Sequence, residues 1–244
     1  MKFPYLLAGL AAATLCFSCE KSSDGESSTP EAGTPVTAQV DAPAQLPNLE
    51  LPAGTVFVSA DSLAGDFNQD GIRDRVEVIE AATEGDFGKE RSLVLYSEQN
   101  GERRNWYVAP AALLASAEGG VMGDPFVSLQ VVSDTLLDVR HAGGSRIRWS
   151  YWHQWAWDGD DFSLVELMTD VGEPCVESES LTLNYGTSEG DFVGYGVTAD
   201  DCQGNETGDW AMVNVPVPSR PRMKAYDIGA NEVKLPFDDK TMYY

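Results

Sequence analysis

Residues 146–157 have the sequence Arg-Ile-Arg-Trp-Ser-Tyr-Trp-His-Gln-Trp-Ala-Trp, and this stretch decides the fold class. Because successive side chains of a β-strand point to opposite faces, strict alternation places the large residues on one face of a long strand. These residues are Ile147, Trp149, Tyr151, His153, Trp155 and Trp157. Asp158-Gly159, a dipeptide suited to tight turns, follows and precedes a second apolar segment at residues 162–168. The pattern predicts an antiparallel hairpin.

The same signals recur on both sides of this hairpin. Segments rich in branched and aromatic residues alternate with turn residues, among them Asn100-Gly101. The predicted strands are residues 55–58, 75–79, 92–96, 105–108, 126–132, 136–140, 146–157, 162–168, 181–185, 192–197 and 210–217. One short helix is predicted at residues 110–117, because proline opens this segment and two glycines follow it. The predicted fold is mainly β, either an antiparallel sandwich or a strongly curved sheet with one short helix.

The N-terminal sequence predicts export. An apolar run ends at Phe17 and is shorter than the ~20 residues of a membrane-spanning helix, and the chain then becomes polar. We interpret residues 1–18 as a signal peptide and Cys19 as the lipidated first residue of the mature protein, since the small Ser18 precedes it. Cys16 stands where a typical lipobox has Leu, Val or Ile. Cleavage after Ser18 without lipidation is therefore the alternative.

Composition divides the rest of the chain. Residues 19–47 are rich in Ser, Thr, Pro, Ala, Gly and acidic residues, which predicts a disordered tether behind the lipidated cysteine. Residues 48–244 contain no second linker and are expected to form a single β-rich domain. This organisation predicts a lipid-anchored protein of the cell envelope, on the periplasmic face or the cell surface. In that oxidising location, a disulfide between Cys175 and Cys202 is favoured over a thiol or metal site.

The chain is strongly acidic, with a formal net charge of -23 at pH 7. Such a charge repels the phosphates of nucleic acids, so nucleic acid is not expected as a partner. It is compatible with binding of divalent cations, although most of the acidic residues are expected to form a solvated surface.

Residues 65–74, Gly-Asp-Phe-Asn-Gln-Asp-Gly-Ile-Arg-Asp, carry the pattern of a calcium loop. Calcium takes six or more oxygen ligands, and this segment has an oxygen-bearing side chain at alternate positions with a glycine for the sharp turn. The predicted ligands are the side chains of Asp66, Asn68, Asp70 and Asp74 and the backbone carbonyl of Ile72. Glu77 is left out, because it lies in a predicted strand and is expected to point to solvent. A turn that binds no metal is the alternative interpretation.

The loop followed directly by a strand resembles the calcium loops of FG-GAP or VCBS-type repeats, which occur in many copies in propeller blades, whereas this chain has one copy. Two further segments extend the likeness, Gly-Gly-Val-Met-Gly-Asp-Pro-Phe at residues 119–126 and Gly-Gly-Ser-Arg-Ile-Arg-Trp at residues 143–149. Together they are similar to a group of bacterial envelope lipoproteins with a single such loop, over roughly residues 65–185. The resemblance implies a structural calcium ion and no particular activity.

The tryptophan-rich strand allows two interpretations. Its continuous apolar face suits the core of the domain, which we favour, but tryptophans also form platforms on which sugar rings stack. Trp152 lies on the opposite face beside arginines and is the candidate for contact with a ligand.

Catalytic signals are weak. Ser145, one of the two histidines (His141 or His153) and one of several aspartates could be combined into a triad, but no Gly-x-Ser-x-Gly elbow supports one, and no catalytic residue is predicted. The leading hypothesis is a membrane-tethered, non-enzymatic envelope lipoprotein that binds or scaffolds another envelope component. A glycan-binding module is the alternative, and an envelope hydrolase is the third hypothesis.

Lipidation of Cys19 is directly testable. We expect the mature protein to begin at an acylated Cys19 and to sediment with membranes, and a Cys19→Ala variant to lose that association. Intact-mass spectrometry and membrane fractionation measure both properties. An unmodified Cys19, or a variant that stays in the membrane fraction, would contradict the assignment.

Overall fold

The structure, a computed structural model, describes residues 46–58, 63–110, 112–187, 190–200, 202–203, 206–213, 216–236 and 240–244. The predicted signal peptide, Cys19 and nearly all of the predicted tether lie outside these residues. The described residues belong to one compact unit, Pro43–Tyr244. Among the residues given above, no helix has the length and apolar character needed to cross a bilayer.

A five-stranded antiparallel sheet, the small sheet, contains the first part of the domain. Its strands are β1 (Val56–Phe57), β2 (Leu63–Gly65), β3 (Asp74–Gly85), β4 (Gly88–Gln99) and β5 (Glu102–Ala109). Strands β1, β3, β4 and β5 lie side by side in that order, and β2 also pairs with β3. The predicted Asn100-Gly101 turn joins β4 to β5, with φ angles of 56° and 79° that these two residues readily adopt.

A seven-stranded antiparallel sheet, the large sheet, follows. Its strands are β6 (Phe126–Ser133), β7 (Leu136–Gly144), β8 (Arg148–Trp157), β9 (Phe162–Glu173), β10 (Glu177–Thr187), β11 (Gly190–Asp200) and β12 (Glu206–Val213). Each strand pairs with the next one in the chain, so the sheet is a meander. The last predicted strand was placed too late, at residues 210–217, because Pro216 and Pro218 lack the backbone N–H that a ladder requires.

The chain ends in a short hairpin that the sequence did not predict. A 3-10 helix at Met223–Ala225 precedes β13 (Glu232–Lys234) and β14 (Thr241–Tyr243). Tyr226 packs against the large sheet, with ring centroids 5.1 Å from His153 and 5.0 Å from Trp155. The C-terminal segment therefore completes the layer opposite the large sheet.

The predicted helix at residues 110–117 is wrong. The described residues of this segment form bends and turns, with Ala112 and Leu113 buried in the core. The amides of Ser116 and Ala117 donate to the carbonyls of Lys89 and Phe87 instead of to helical partners. A segment this short gains little from helix formation, so hydrogen bonds to the neighbouring β3–β4 hairpin prevail.

The two sheets pack face to face around a single core, which confirms the predicted mainly β, sandwich-like fold. Trp106 and Tyr107 of the small sheet contact Trp157 and Phe162 of the large sheet, with ring centroids 5.2–5.7 Å apart in T-shaped pairs. Such edge-to-face pairs contribute about 0.5–1.5 kcal/mol each beyond the area that they bury. Leu46, which the sequence placed in the tether, also packs against this core.

The aromatic face of β8 lies in the core, as we favoured. Tyr151, His153, Trp155 and Trp157 all point toward the small sheet and the C-terminal segment. Trp149 is half-buried beside Tyr151 and does not reach the core, and Ile147 is exposed because it lies in the turn before β8.

Cys175 and Cys202 form a disulfide, as predicted, with Cα atoms 4.8 Å apart. Cys175 lies in the β9–β10 turn and Cys202 follows β11. The bridge links two turns at the same end of the large sheet. Closing a loop of 27 residues corresponds to about 3.5 kcal/mol in the chain-entropy model.

Candidate functional site

The acidic loop connects β2 to β3. Its ends are paired in the small sheet, where Gly65 lies opposite Asp74. Inside the loop, Asn68 and Asp70 each accept a hydrogen bond from the backbone N–H two residues ahead, at 3.2 and 2.7 Å. Such side-chain turns are typical of aspartate and asparagine, and they hold the loop in a tight bend together with the positive φ of Gly71, 81°.

Asp74 connects this loop to the core. One carboxylate oxygen accepts from the Phe67 amide at 2.9 Å, and the other accepts from the Ser97 hydroxyl at 2.6 Å and the Trp106 indole at 3.0 Å. The residue is completely buried. Burial raises the pKa of the Asp74 carboxyl, and the negative charge of Asp70 acts in the same direction. Asp74 thus holds the loop against the sandwich at the cost of a buried charge.

The loop meets part of the requirement for a calcium site. Asp66, Asn68 and Asp70 lie together, and the Asp66 Oδ1 atom is buried with no hydrogen-bond partner among the described residues. Both carboxylate oxygens of Asp74, in contrast, already accept hydrogen bonds, one from the Phe67 amide and the other from the Ser97 hydroxyl. Across the described residues, no three His, Cys, Asp or Glu side chains group closely enough to hold a metal ion. Any calcium bound here would depend on Asn68 and on the Ile72 carbonyl as well as on carboxylates.

Glu77 does not contribute to the loop. Its carboxylate accepts a hydrogen bond from the Tyr96 hydroxyl at 3.0 Å and forms an ion pair with Arg103 at 3.0 Å. The side chain is half-buried rather than directed to solvent as expected.

The second candidate site is the outer face of the large sheet, which is the face turned away from the core and includes Trp152, Met168, Asp170, Trp210 and Met212. Directly paired residues of antiparallel strands project to the same side, so these residues form two rows across the sheet. One row contains Trp152, Met168, Thr182, Gly194 and Met212. The other contains Ser150, Asp170, Ser180, Gly196 and Trp210.

Trp152, the predicted ligand contact, is half-buried on this face. The Arg140 guanidinium lies 5.6 Å from its ring centroid, and the buried indole N–H has no hydrogen-bond partner in the part of the chain that the structure describes. Trp210 is more accessible, with 54% of its surface exposed. From the sequence, Trp210 is predicted only as part of a strand. The signal it missed is the alternation Gly194-Tyr195-Gly196, which leaves one face of β11 without side chains beneath Trp210.

Both histidines lie in the core, 1% exposed each. Burial lowers the pKa of His141 to about 4 and that of His153 well below its usual value. His153 bonds with the Tyr226 hydroxyl at 2.8 Å, and His141 Nε2 lies 3.4 Å from the Leu114 amide. Ser145 lies in the turn before β8. The structure therefore does not bring the three residues together at the surface as a triad requires.

Comparison with known proteins adds no identification. No family model, curated protein or solved structure was found to match this chain.

The role of Asp74 predicts a large effect of its removal. In Asp74→Ala, the buried N–H groups of Phe67 and Trp106 lose their acceptor, and each unsatisfied group costs about 1–3 kcal/mol. We expect the free energy of unfolding to fall by about 3 kcal/mol or more in denaturant titrations with EDTA. Asp74→Asn retains one acceptor oxygen and should lose less.

Asp209→Ala, at an exposed position of β12, is the matched control and should change stability by no more than about 0.5 kcal/mol. Equal stability of Asp74→Ala and Asp209→Ala would contradict the assigned role.

Proposed function

We propose that this chain is a non-enzymatic, lipid-anchored protein of the cell envelope that binds another envelope component through the outer face of its large sheet. The observation that carries the proposal is the set of exposed apolar side chains on this face. Met168, Trp210 and Met212 are 41%, 54% and 62% exposed. Large apolar side chains exposed beside polar groups are typical of interaction surfaces, because a monomer gains nothing from displaying them to water.

The small sheet is less suited to binding. The amide of Leu49 donates to the Asn105 carbonyl at 2.6 Å, so the segment before β1 runs along this sheet. Arg103 covers the rings of Phe57 and Tyr96, at 4.9 and 3.6 Å from their centroids. The chain thus joins the domain at the small sheet, and the outer face of the large sheet stays clear of that junction.

A non-enzymatic role agrees with the position of the histidines. Both are buried and neutral at pH 7 because burial lowers their pKa values. A general base has to reach the proton that it abstracts, and these side chains are enclosed by core residues. The export and lipid anchor in this proposal rest on the N-terminal sequence.

Calcium is the second part of the proposal. We infer that Asp66, Asn68 and Asp70 bind it together with the Ile72 carbonyl, and that Asp74 supports the loop from beneath. The unpartnered Asp66 Oδ1 atom favours this inference, as does the repulsion that Asp70 exerts on Asp74. A bound cation would provide a partner for the Asp66 Oδ1 atom and reduce the repulsion between Asp70 and Asp74. The ion would stabilise the fold and take no part in a reaction.

Calcium should therefore raise the melting temperature. At a hundredfold excess over Kd, binding to the folded state alone adds about 2.7 kcal/mol. For a domain of this size we expect a rise of about 5–10 °C relative to EDTA, and little rise with magnesium, which requires a tighter octahedral site.

Asp70→Asn is the matched variant, since its amide oxygen can still accept from Ile72 while the charge is lost. Thermal melts of the mature protein in EDTA, calcium and magnesium give the comparison. If the wild type melts at one temperature in all three, or if Asp70→Asn keeps the full calcium shift, the calcium proposal is wrong.

The binding face can be tested by photocrosslinking in intact envelopes. A benzophenone amino acid inserts into C–H bonds of proteins and glycans alike, so the probe does not presuppose the ligand. We expect a discrete adduct from position 212 on the outer face and none from position 84, which is exposed on β3. Equal labelling at both positions, or none at position 212, would refute the proposed binding face.

A further inference from the structure

Trp210 lies flat on the large sheet. It is paired with Gly196 on β11, and a side chain at Gly194 or Gly196 would collide with opposite edges of its six-membered ring. The ring therefore covers bare backbone at both positions with one face. Since the residue is 54% exposed, the other face is open to solvent. A rigid, flat aromatic surface with a fixed orientation is the result.

Polar groups continue the same row across the sheet. Asp170 accepts hydrogen bonds from the hydroxyls of Ser150, at 3.2 Å, and Ser180, at 2.5 Å. The serine oxygens keep acceptor lone pairs, and the exposed carboxylate has further acceptor sites for hydroxyl donors. Ser180 is two strands away from Trp210, or about 10 Å. A disaccharide is long enough to contact both.

A groove of about 340 Å³ follows the neighbouring row. Its lining includes Arg148, Gly172, Ser178 and Thr198, and the Pro174-Cys175 turn closes one end. The disulfide to Cys202 holds that turn in place. Its volume lies at the lower end of the range for small-molecule sites.

We propose that Trp210 is the stacking platform of a binding site for an uncharged glycan, with Asp170 and the adjoining groove contacting sugar hydroxyls. This inference rests on the proposed function and specifies its ligand. Sugar rings present flat C–H faces to an aromatic ring and hydroxyls at their edges, which matches the arrangement of a tryptophan beside carboxylate and hydroxyl groups.

Charge selects a neutral ligand. The groove is lined by three acidic residues, Asp170, Glu173 and Glu177, and by one basic residue, Arg148. With the chain at a formal net charge of -23, anionic polysaccharides are repelled, and so are nucleic acids, whose bases could otherwise stack on the ring. Trp152 lies in the neighbouring row with Met168, where it is half-buried and lines a second cavity with Ser150 and Asp170.

The test is calorimetric titration of the exported mature protein with defined hexasaccharides. The neutral probes are cellohexaose, chitohexaose and mannohexaose, and the anionic probe is an alginate hexasaccharide. We expect at least one neutral probe to bind and the anionic probe not to bind. Trp210→Ala should weaken binding about tenfold or more, Trp210→Tyr should retain part of it, and Asp170→Asn should weaken it severalfold.

Glu84→Ala, at an exposed position of β3 in the small sheet, is the control and should bind like the wild type. Gly196→Val provides a second test, since a side chain there displaces the ring without removing it and should also weaken binding. The proposal is overturned if no neutral probe binds, or if Trp210→Ala and Gly196→Val bind as tightly as the wild type. If a protein adduct forms at position 212 but no glycan binds, the glycan proposal is wrong and the proposed binding face stands. If neither an adduct nor glycan binding is observed, both proposals are wrong.

Discussion

The carboxylate of Asp74 is the contact on which the arrangement of this domain depends. It accepts hydrogen bonds from the loop amide of Phe67 and from Ser97 and Trp106 of the small sheet. Trp106 in turn packs against Trp157 of the large sheet, 5.3 Å away. A buried charge is costly, and it is retained only where several donors satisfy it. Asp74 therefore joins the loop directly to the small sheet, and Trp106 extends the connection to the large sheet. The calcium proposal concerns the outer side of the same loop.

This arrangement separates stability from binding. The inner face of the large sheet packs against the small sheet and the C-terminal segment, with Trp155 and Leu167 fully buried. The side chains of its outer face do not pack in the core, because they alternate along each strand with those that do. Trp210 and Asp170 can therefore change without disturbing the sandwich. A rigid, disulfide-linked sheet is a suitable support for such a surface, because ligand contacts are then positioned by the fold rather than by mobile loops.

Local patterns predicted most of the fold. Alternation along β8 assigned its two faces, and the Asn100-Gly101 turn was identified from residue type alone, since both signals are local and strong. The helix predicted at residues 110–117 does not form, because amides of this segment donate to the β3–β4 hairpin, which is close in space but remote in sequence. The site was harder to predict. Asp74 matched a ligand position by spacing, but its donors come from β4 and β5, and the accessibility of Trp210 depends on glycines of the neighbouring strand. The hydrogen bonds of Asp74 and the accessibility of Trp210 thus depend on contacts between segments that are remote in sequence.

The most direct test of the central role of Asp74 is an NMR titration of the tryptophan indole N–H resonances in the presence of EDTA. Because Trp106 donates to Asp74, its indole resonance should move with pH at a midpoint above 3.8, the ordinary value for an aspartate, as burial raises the pKa. Because the folded pKa is raised, this group lowers the stability of the fold as the pH rises from 3.8 through that midpoint, and the cost stays constant at higher pH. The exposed Trp210 resonance should not follow this titration. A Trp106 resonance that is independent of pH, or that moves with a midpoint below the ordinary value, would contradict the account.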